Sequence, residues 1–365
     1  MKRFEDNFFM SIHHRGRGAQ LQAKNKYLNH FHENEAEYLE HCHLENESPF
    51  DEKTHFQEIF PKTFVNKVSS PDVGMGYSAN PYQGCEHGCI YCYARNSHEY
   101  WGFNAGLDFE KQILVKKNAP QLLEEFILKK TWQGKTIVFS GNTDCYQPIE
   151  RKLEITRKCL EVMVKYKHPT GIITKNSLIL RDLDLLKQLA ERNLIRVSLS
   201  ITTLEEKTRR MVEPRTTTIK QRFKTLETLA ENNIPVNVMM APIIPGINSH
   251  EILKLAKKVS DLGASSIAFT VVRLNGAIAE VFKDWIEKTY PLKAKKVLHL
   301  IESCHNGNLN DSRYGTRMKG EGEFAEQIHQ QFKIARLKYF SGKKKAPPMS
   351  NFLFLEQKNG QYKLF

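Results

Sequence analysis

Between Thr136 and Val272 short apolar runs alternate with longer amphipathic stretches, and this rhythm limits the fold more than any other feature of the chain. The runs TIVFS (136–140), TGIIT (170–174), IRVSLSI (195–201), VNVMMA (236–241) and SIAFTVV (266–272) read as buried strands. Helical spacing follows each of the first four, over 149–166, 180–192, 219–232 and 252–262. Strands alternating with helices of such length predict parallel βα units. One earlier unit, entered before a cysteine-bearing loop, brings the number to roughly six. The expected fold is therefore α/β, a partial (β/α)6 TIM-like barrel. Chemistry in such barrels gathers where the strands end. The polar clusters SGNTD (140–144), TKN (174–176), SITT (200–203) and PIIPG (242–246) fall at those ends.

The flanks have a different character. Residues 1–62 form a polar arm that carries seven of the fourteen histidines, with a helix expected over 33–43 that ends in His41, Cys42 and His43. The arm is expected to cover a core barrel spanning 63–275. In its first part Gln112 to Lys116 alternates like a strand, and 118–130 has helical spacing through Leu122, Leu123, Phe126 and Ile127. A helical extension over 276–342 is expected to close the barrel's open side, followed by a basic, proline-containing tail, 343–365. No stretch of about 18 apolar residues occurs, so no membrane span is predicted. The N-terminus lacks a signal-peptide pattern, and an odd seven cysteines do not form a disulfide framework. These features predict a cytoplasmic protein. The excess of 54 basic over 41 acidic residues, +13, makes nucleic acid a candidate partner.

The loop NPYQGCEHGCIYCYAR (80–95) places Cys85, Cys89 and Cys92 at C-x3-C-x2-C spacing. Thiolates suit iron–sulfur clusters and zinc, and glycines at 84 and 88 tolerate the positive φ that tight wrapping demands. Three thiolates are one too few for a closed site, since clusters and structural zinc take four ligands. One metal position is thus left open. The alternative is a Cys3His zinc site completed by His87 or His98, in a zinc-binding, nucleic-acid-associated protein without turnover.

This segment resembles the signature of the radical S-adenosylmethionine (SAM) enzymes. The resemblance implies a [4Fe-4S] cluster held by the three cysteines, SAM bound to the fourth iron through its amino and carboxylate groups, and Tyr91 beside the adenine. It also implies the barrel of that family, reductive cleavage of SAM to a 5′-deoxyadenosyl radical, and an external reductant such as flavodoxin or ferredoxin. Among the strand-end residues Ser140, Gly141, Asn142, Thr143 and Asp144, glycine permits close backbone approach. Thr143 can hydrogen-bond a carboxylate, and Asp144 an ammonium or a ribose hydroxyl. Lys175 suits the SAM carboxylate, and Ser200 the ribose.

Within the superfamily the chain is most similar to the spore photoproduct lyase-like branch of DNA-repair lyases, over 78–272, and closest to a less-characterised bacterial sister family. The matching residues are Tyr91-Cys92-Tyr93, Thr143, Asp144, Lys175, Ser200, Glu213-Pro214 and Ala241-Pro242-Ile243. The resemblance gives Tyr93 the place of a relay tyrosine in hydrogen transfer, but the lyase's hydrogen-donating cysteine falls on Gly141. Cys145, four residues on, is the remaining catalytic candidate, and a small buried side chain is its other reading.

Overall fold

A computed structural model describes residues 14, 16–28, 53–343 and 346–361. The helix expected over 33–43, with His41, Cys42 and His43, lies outside the described residues. The strands, in chain order, are β1 His55–Ile59, β2 Val65–Lys67, β3 Tyr77–Ala79, β4 Tyr82–Gln83, β5 Gln112–Lys116, β6 Ile137–Phe139, β7 Thr170–Thr174, β8 Ile195–Ser200, β9 Val236–Ile243 and β10 Ser266–Val271. A seven-stranded sheet has the order β10-β9-β8-β7-β6-β3-β2. From β3 to β10 every pairing in it is parallel, with β2 antiparallel on the edge. This is the expected partial barrel, with β3 as the early unit. The three-stranded sheet β1-β5-β4 stands beside the segment that carries the cysteines.

The helices depart from expectation in two places, each with a local cause. The stretch over 149–166 is broken into Glu150–Leu153 and Ile155–Lys165, with Glu154 between them at φ 53°. The Glu150 carboxylate accepts the Thr156 amide at 3.1 Å, so a side chain takes a donor at the start of the second helix. The next stretch opens as a 3-10 turn, Ser177–Asp182, before the helix Leu183–Glu191, because Asn176 accepts the Leu178 amide at 3.0 Å.

The C-terminal segments bridge the sheet's two edges. Val271 donates to the Met318 carbonyl at 2.9 Å and Leu274 to that of Leu309 at 2.8 Å, so this segment runs along β10. Its Arg317 pairs with Asp72 at 2.6 Å, in the loop before β3. The helix Glu323–Tyr339 lays Phe332 flat on Phe269 of β10, centroids 4.1 Å apart. A last helix, Phe352–Gln361, buries Phe354 against His168, and Lys358 donates to the carbonyls of Lys129 and Trp132 at 2.6 and 2.9 Å. Removing a buried phenylalanine usually costs about 3–5 kcal/mol. Phe354→Ala is therefore expected to shift the urea midpoint downwards, and an unchanged midpoint would mean that this helix adds nothing to the core. Among the described residues no helix is long and apolar enough to cross a membrane.

Two apolar clusters matter for the site. The larger fills the space between sheet and helices, through Ile172, Val197 and Val238. The second lies at the strand ends and joins Cys89, Ile90 and Tyr91 to Val272, Ile278 and Trp285. The cysteine loop is thus packed as core rather than hung on the surface.

Candidate functional site

The loop's own backbone dictates its shape. Gly84 and Gly88 have φ of 80° and 66°, the left-handed region where a side chain is strained. A Cβ on Gly88 would also meet the Glu110 carboxylate at 2.7 Å. That carboxylate is the loop's internal counterweight. It pairs with fully buried Arg95 at 2.5 Å and accepts the amides of Gly18 and Ala19 at 3.0 and 2.9 Å. Arg95 in turn donates to the Cys89 carbonyl at 3.0 Å. The described part of the N-terminal arm therefore underlies the loop.

Cys85 and Cys89 are buried and Cys92 is partly accessible. Burial pushes the Cys89 thiol up to about 12 and that of Cys85 well above its ordinary value. A metal taken up here must displace protons. The histidines that would complete a zinc site are placed otherwise. His87 has Nδ1 3.4 Å from Asp144 and Nε2 3.3 Å from the Asn176 amide. His98 is fully buried and stacked on Phe103, centroids 4.9 Å apart, with Phe109 edge-on at 5.6 Å. The metal donors that this loop itself offers are its three thiols.

The strand ends surround this loop with charge. Tyr91 donates its hydroxyl to Glu213, which also accepts Thr202 Oγ1 at 2.9 Å and Arg222 Nη2 at 2.6 Å. Glu213 and Arg222 are buried. Burial opposes the Glu213 charge, but Arg222, Lys175 and Tyr91 outweigh it and hold the carboxyl at about 2. The Lys175 ammonium lies 5.9 Å from the Tyr91 ring centroid. Burial again works against its charge, yet Cys89, Glu213, Asp144 and Cys92 raise its pKa above the ordinary value. Among the described residues that ammonium makes no hydrogen bond, so its donors are available.

Asp144 and Thr143 are engaged by the protein itself. Asp144 accepts Thr174 Oγ1 at 2.8 Å and the amides of Tyr146 and Lys175, both at 2.9 Å, which fixes the turn that carries Lys175. Thr143 donates to the Tyr82 carbonyl at 2.6 Å. Ser140 accepts the Cys145 amide at 2.7 Å. Asn142 donates to Gln83 and Ser97 at 3.2 and 3.0 Å, and its amide to Asn80 at 2.8 Å. Ser200 is buried at the end of β8, its carbonyl accepting Arg222 Nη1 at 3.2 Å. Cys145 is fully buried in the larger core cluster, its thiol pushed well up by burial and by Asp144.

Tyr93 and Gly141 meet directly, the phenol donating to the Gly141 carbonyl at 2.6 Å. Tyr93 is 51% accessible. A Cβ at position 141 would come within 2.6 Å of Ser78 Cβ, so this chain has no room there for the cysteine of the lyase-like pattern. Overpacking of this kind usually costs about 1–3 kcal/mol. Gly141→Cys is expected to lower thermal stability by that order, with Ser78→Gly restoring much of it. Equal melting of Gly141→Cys and the parent would show that Ser78 yields freely.

Two residues of this site carried no chemistry in the sequence reading: Arg222 and the arginine of the Arg95–Glu110 pair. Arg222 did leave a signal. It stands four and seven residues before Leu226 and Leu229, both buried, on the apolar face of the helix Ile219–Glu231. A cation on a core face asks for a buried partner.

Comparison with known proteins agrees with this geometry. The model of the Radical SAM superfamily matches residues 79–259. An uncharacterised protein of Methanocaldococcus jannaschii is 30% identical over 234 residues, 64% of this chain and 83% of that one. One from Mycobacterium tuberculosis is 29% identical over 239 residues, 65% of this chain and 70% of that one. Spore photoproduct lyase complexed with dinucleoside spore photoproduct superposes with a TM-score of 0.57 at 17% identity, covering 79% of this chain and 80% of that one. A mutant of the same lyase gives 0.58 at 16% identity, with 87% of each chain covered. At such identity the likeness to the lyase is one of fold. The superfamily match spans the cysteine loop and strands β6 to β9 together, and the chain belongs to the radical SAM superfamily, as an enzyme of the radical SAM type.

Proposed function

We propose that Cys85, Cys89 and Cys92 hold a [4Fe-4S] cluster with one open iron, and that SAM is seated between this loop and the ends of β6, β7 and β8. The observation that carries the reading is the pairing of a three-thiol loop with an unbonded, charged Lys175 facing Cys89, Cys92 and Glu213. When bound, the reduced cluster supplies the electron that splits SAM into methionine and a 5′-deoxyadenosyl radical.

The chain's own residues bind, orient and exclude water. Lys175 offers its ammonium to the SAM carboxylate, and the Tyr91 ring, fixed through Glu213 and Arg222, offers a flat face to the adenine. Gly141, whose missing side chain makes room for Ser78, acts through its carbonyl bond to Tyr93, and Ser200 closes the ribose side. Ser140, Asn142, Thr143 and Asp144 act through their internal bonds, which hold the strand-end turns in place. Tyr93 keeps its phenolic hydrogen against the Gly141 carbonyl. Cys145, with its thiol in the core, is assigned packing.

The barrel over 63–275 is the catalytic unit in this reading, with the flanking segments as its covers. A small reductant such as flavodoxin or ferredoxin supplies electrons, and a cytoplasmic setting suits both the reductant and the free thiols. The lyase of similar fold was solved with a dinucleoside photoproduct. Together with the +13 charge this favours a nucleic-acid substrate. The rival zinc-binding reading is less well supported, because among the described residues neither His87 nor His98 gathers with the three thiols at the close spacing that zinc ligands share. Anaerobic reconstitution followed by metal and sulfide analysis tests the proposal. About four irons and four sulfides per chain are expected of one cubane cluster; a chain that takes up zinc alone and no sulfide would refute it.

A further inference from the structure

Arg273, two residues beyond β10, is half-buried and has no carboxylate within ion-pair distance among the described residues. Its recorded hydrogen bond, to the Asp311 carbonyl, is long at 3.5 Å. The carboxylates that act on it electrostatically are Asp72 and Asp311, and each already binds another guanidinium. Asp72 holds Arg317 at 2.6 Å, and Asp311 holds Arg313 at 2.8 Å. A partly desolvated cation without a counter-ion is unfavourable unless something else supplies the anion.

Its position says what that something meets. Asn96 donates to the Asn275 carbonyl at 2.7 Å, which ties the exit of β10 to the turn that bears Tyr93. Arg273 and Tyr93 are near enough for each to shift the other's ionisation. The free guanidinium thus lies beside the turn that bears the accessible Tyr93, with Arg317 held back by Asp72.

We infer that Arg273 is the anchor for an oxyanion of the substrate, a phosphate or a carboxylate, gripped beside the accessible Tyr93. A guanidinium matches either group in a two-pronged hydrogen bond. The inference rests on the proposed function only in taking the space beside Tyr93 as the substrate's.

Two measurements on the full chain test it. In the first, phenylglyoxal modification of Arg273 is followed by mass spectrometry with inorganic phosphate, acetate, single-stranded DNA or SAM added. Slowing by phosphate and by DNA assigns a phosphate-bearing substrate, and slowing by acetate alone assigns a carboxylate. No slowing by any of them, or slowing by SAM alone, overturns the inference. In the second, binding of a labelled single-stranded ten-mer or of the protecting small anion is compared in the parent, Arg273→Gln and Arg273→Lys. Loss of one charge-assisted contact should weaken binding on the order of ten-fold in Arg273→Gln and less in Arg273→Lys. Equal affinity in all three overturns the inference. SAM binding, measured separately, should be the same in all three; its loss in the parent would instead count against the proposed cofactor site.

Discussion

Replacing Arg222 by methionine is expected to destabilise the protein by about 3–5 kcal/mol, because it strands the Glu213 charge in the interior. Arg222 Nη2 lies 2.6 Å from Glu213 Oε2, and the two side chains are 1% and 0% exposed. The same change takes two donors from the carbonyls of Ser200 and Thr217. For a chain of this size that corresponds to a fall in Tm of about 5 °C. Glu213→Leu combined with Arg222→Met should recover part of the loss, since no charge is then left alone. The Glu213 carboxyl also gives a pH signature. Its folded value is depressed from 4.5 to about 2, so the stabilisation is complete above pH 4.5 and is lost as pH falls towards 2. Thermal melts of the single and double variants between pH 7 and 3 decide the matter. A single variant as stable as the parent would show that the network is not what sets Tyr91.

The second large effect is on the metal centre. Cys89→Ala is expected to abolish cluster assembly, taking iron and sulfide close to background after reconstitution, because two thiolates cannot hold the cubane. Cys159→Ala and Cys145→Ala are the controls, since both thiols are fully buried in the main core. They should assemble the cluster as the parent does, with a modest loss of stability from the lost packing. Iron retained in Cys89→Ala but lost in Cys145→Ala would relocate the site.

What could be read from the chain before its structure depended on how local the cause was. The strands β7 and β5 have the ends that their apolar runs predict, because a short apolar run between turns carries its own boundaries. Glycines 84 and 88 take the positive φ that wrapping the cysteines requires. The break at Glu154 was not legible, since it depends on Glu150 turning back to cap Thr156. Nor were the internal bonds of Asp144 and Thr143 to Lys175 and Tyr82, which join residues up to 61 positions apart. A polar residue at a strand end looks the same in sequence whether it holds a ligand or holds the turn. The unpaired Arg273 is the same problem in reverse, because its freedom is defined by where Asp72 and Asp311 turn instead.

The most direct test of the central claim is electron paramagnetic resonance of the anaerobically reconstituted, dithionite-reduced protein with and without SAM. The account predicts a [4Fe-4S]+ signal whose shape changes when SAM is added, because an open iron takes the new ligands. A cluster signal indifferent to SAM at saturating concentration, or a protein that assembles no cluster at all, would contradict it.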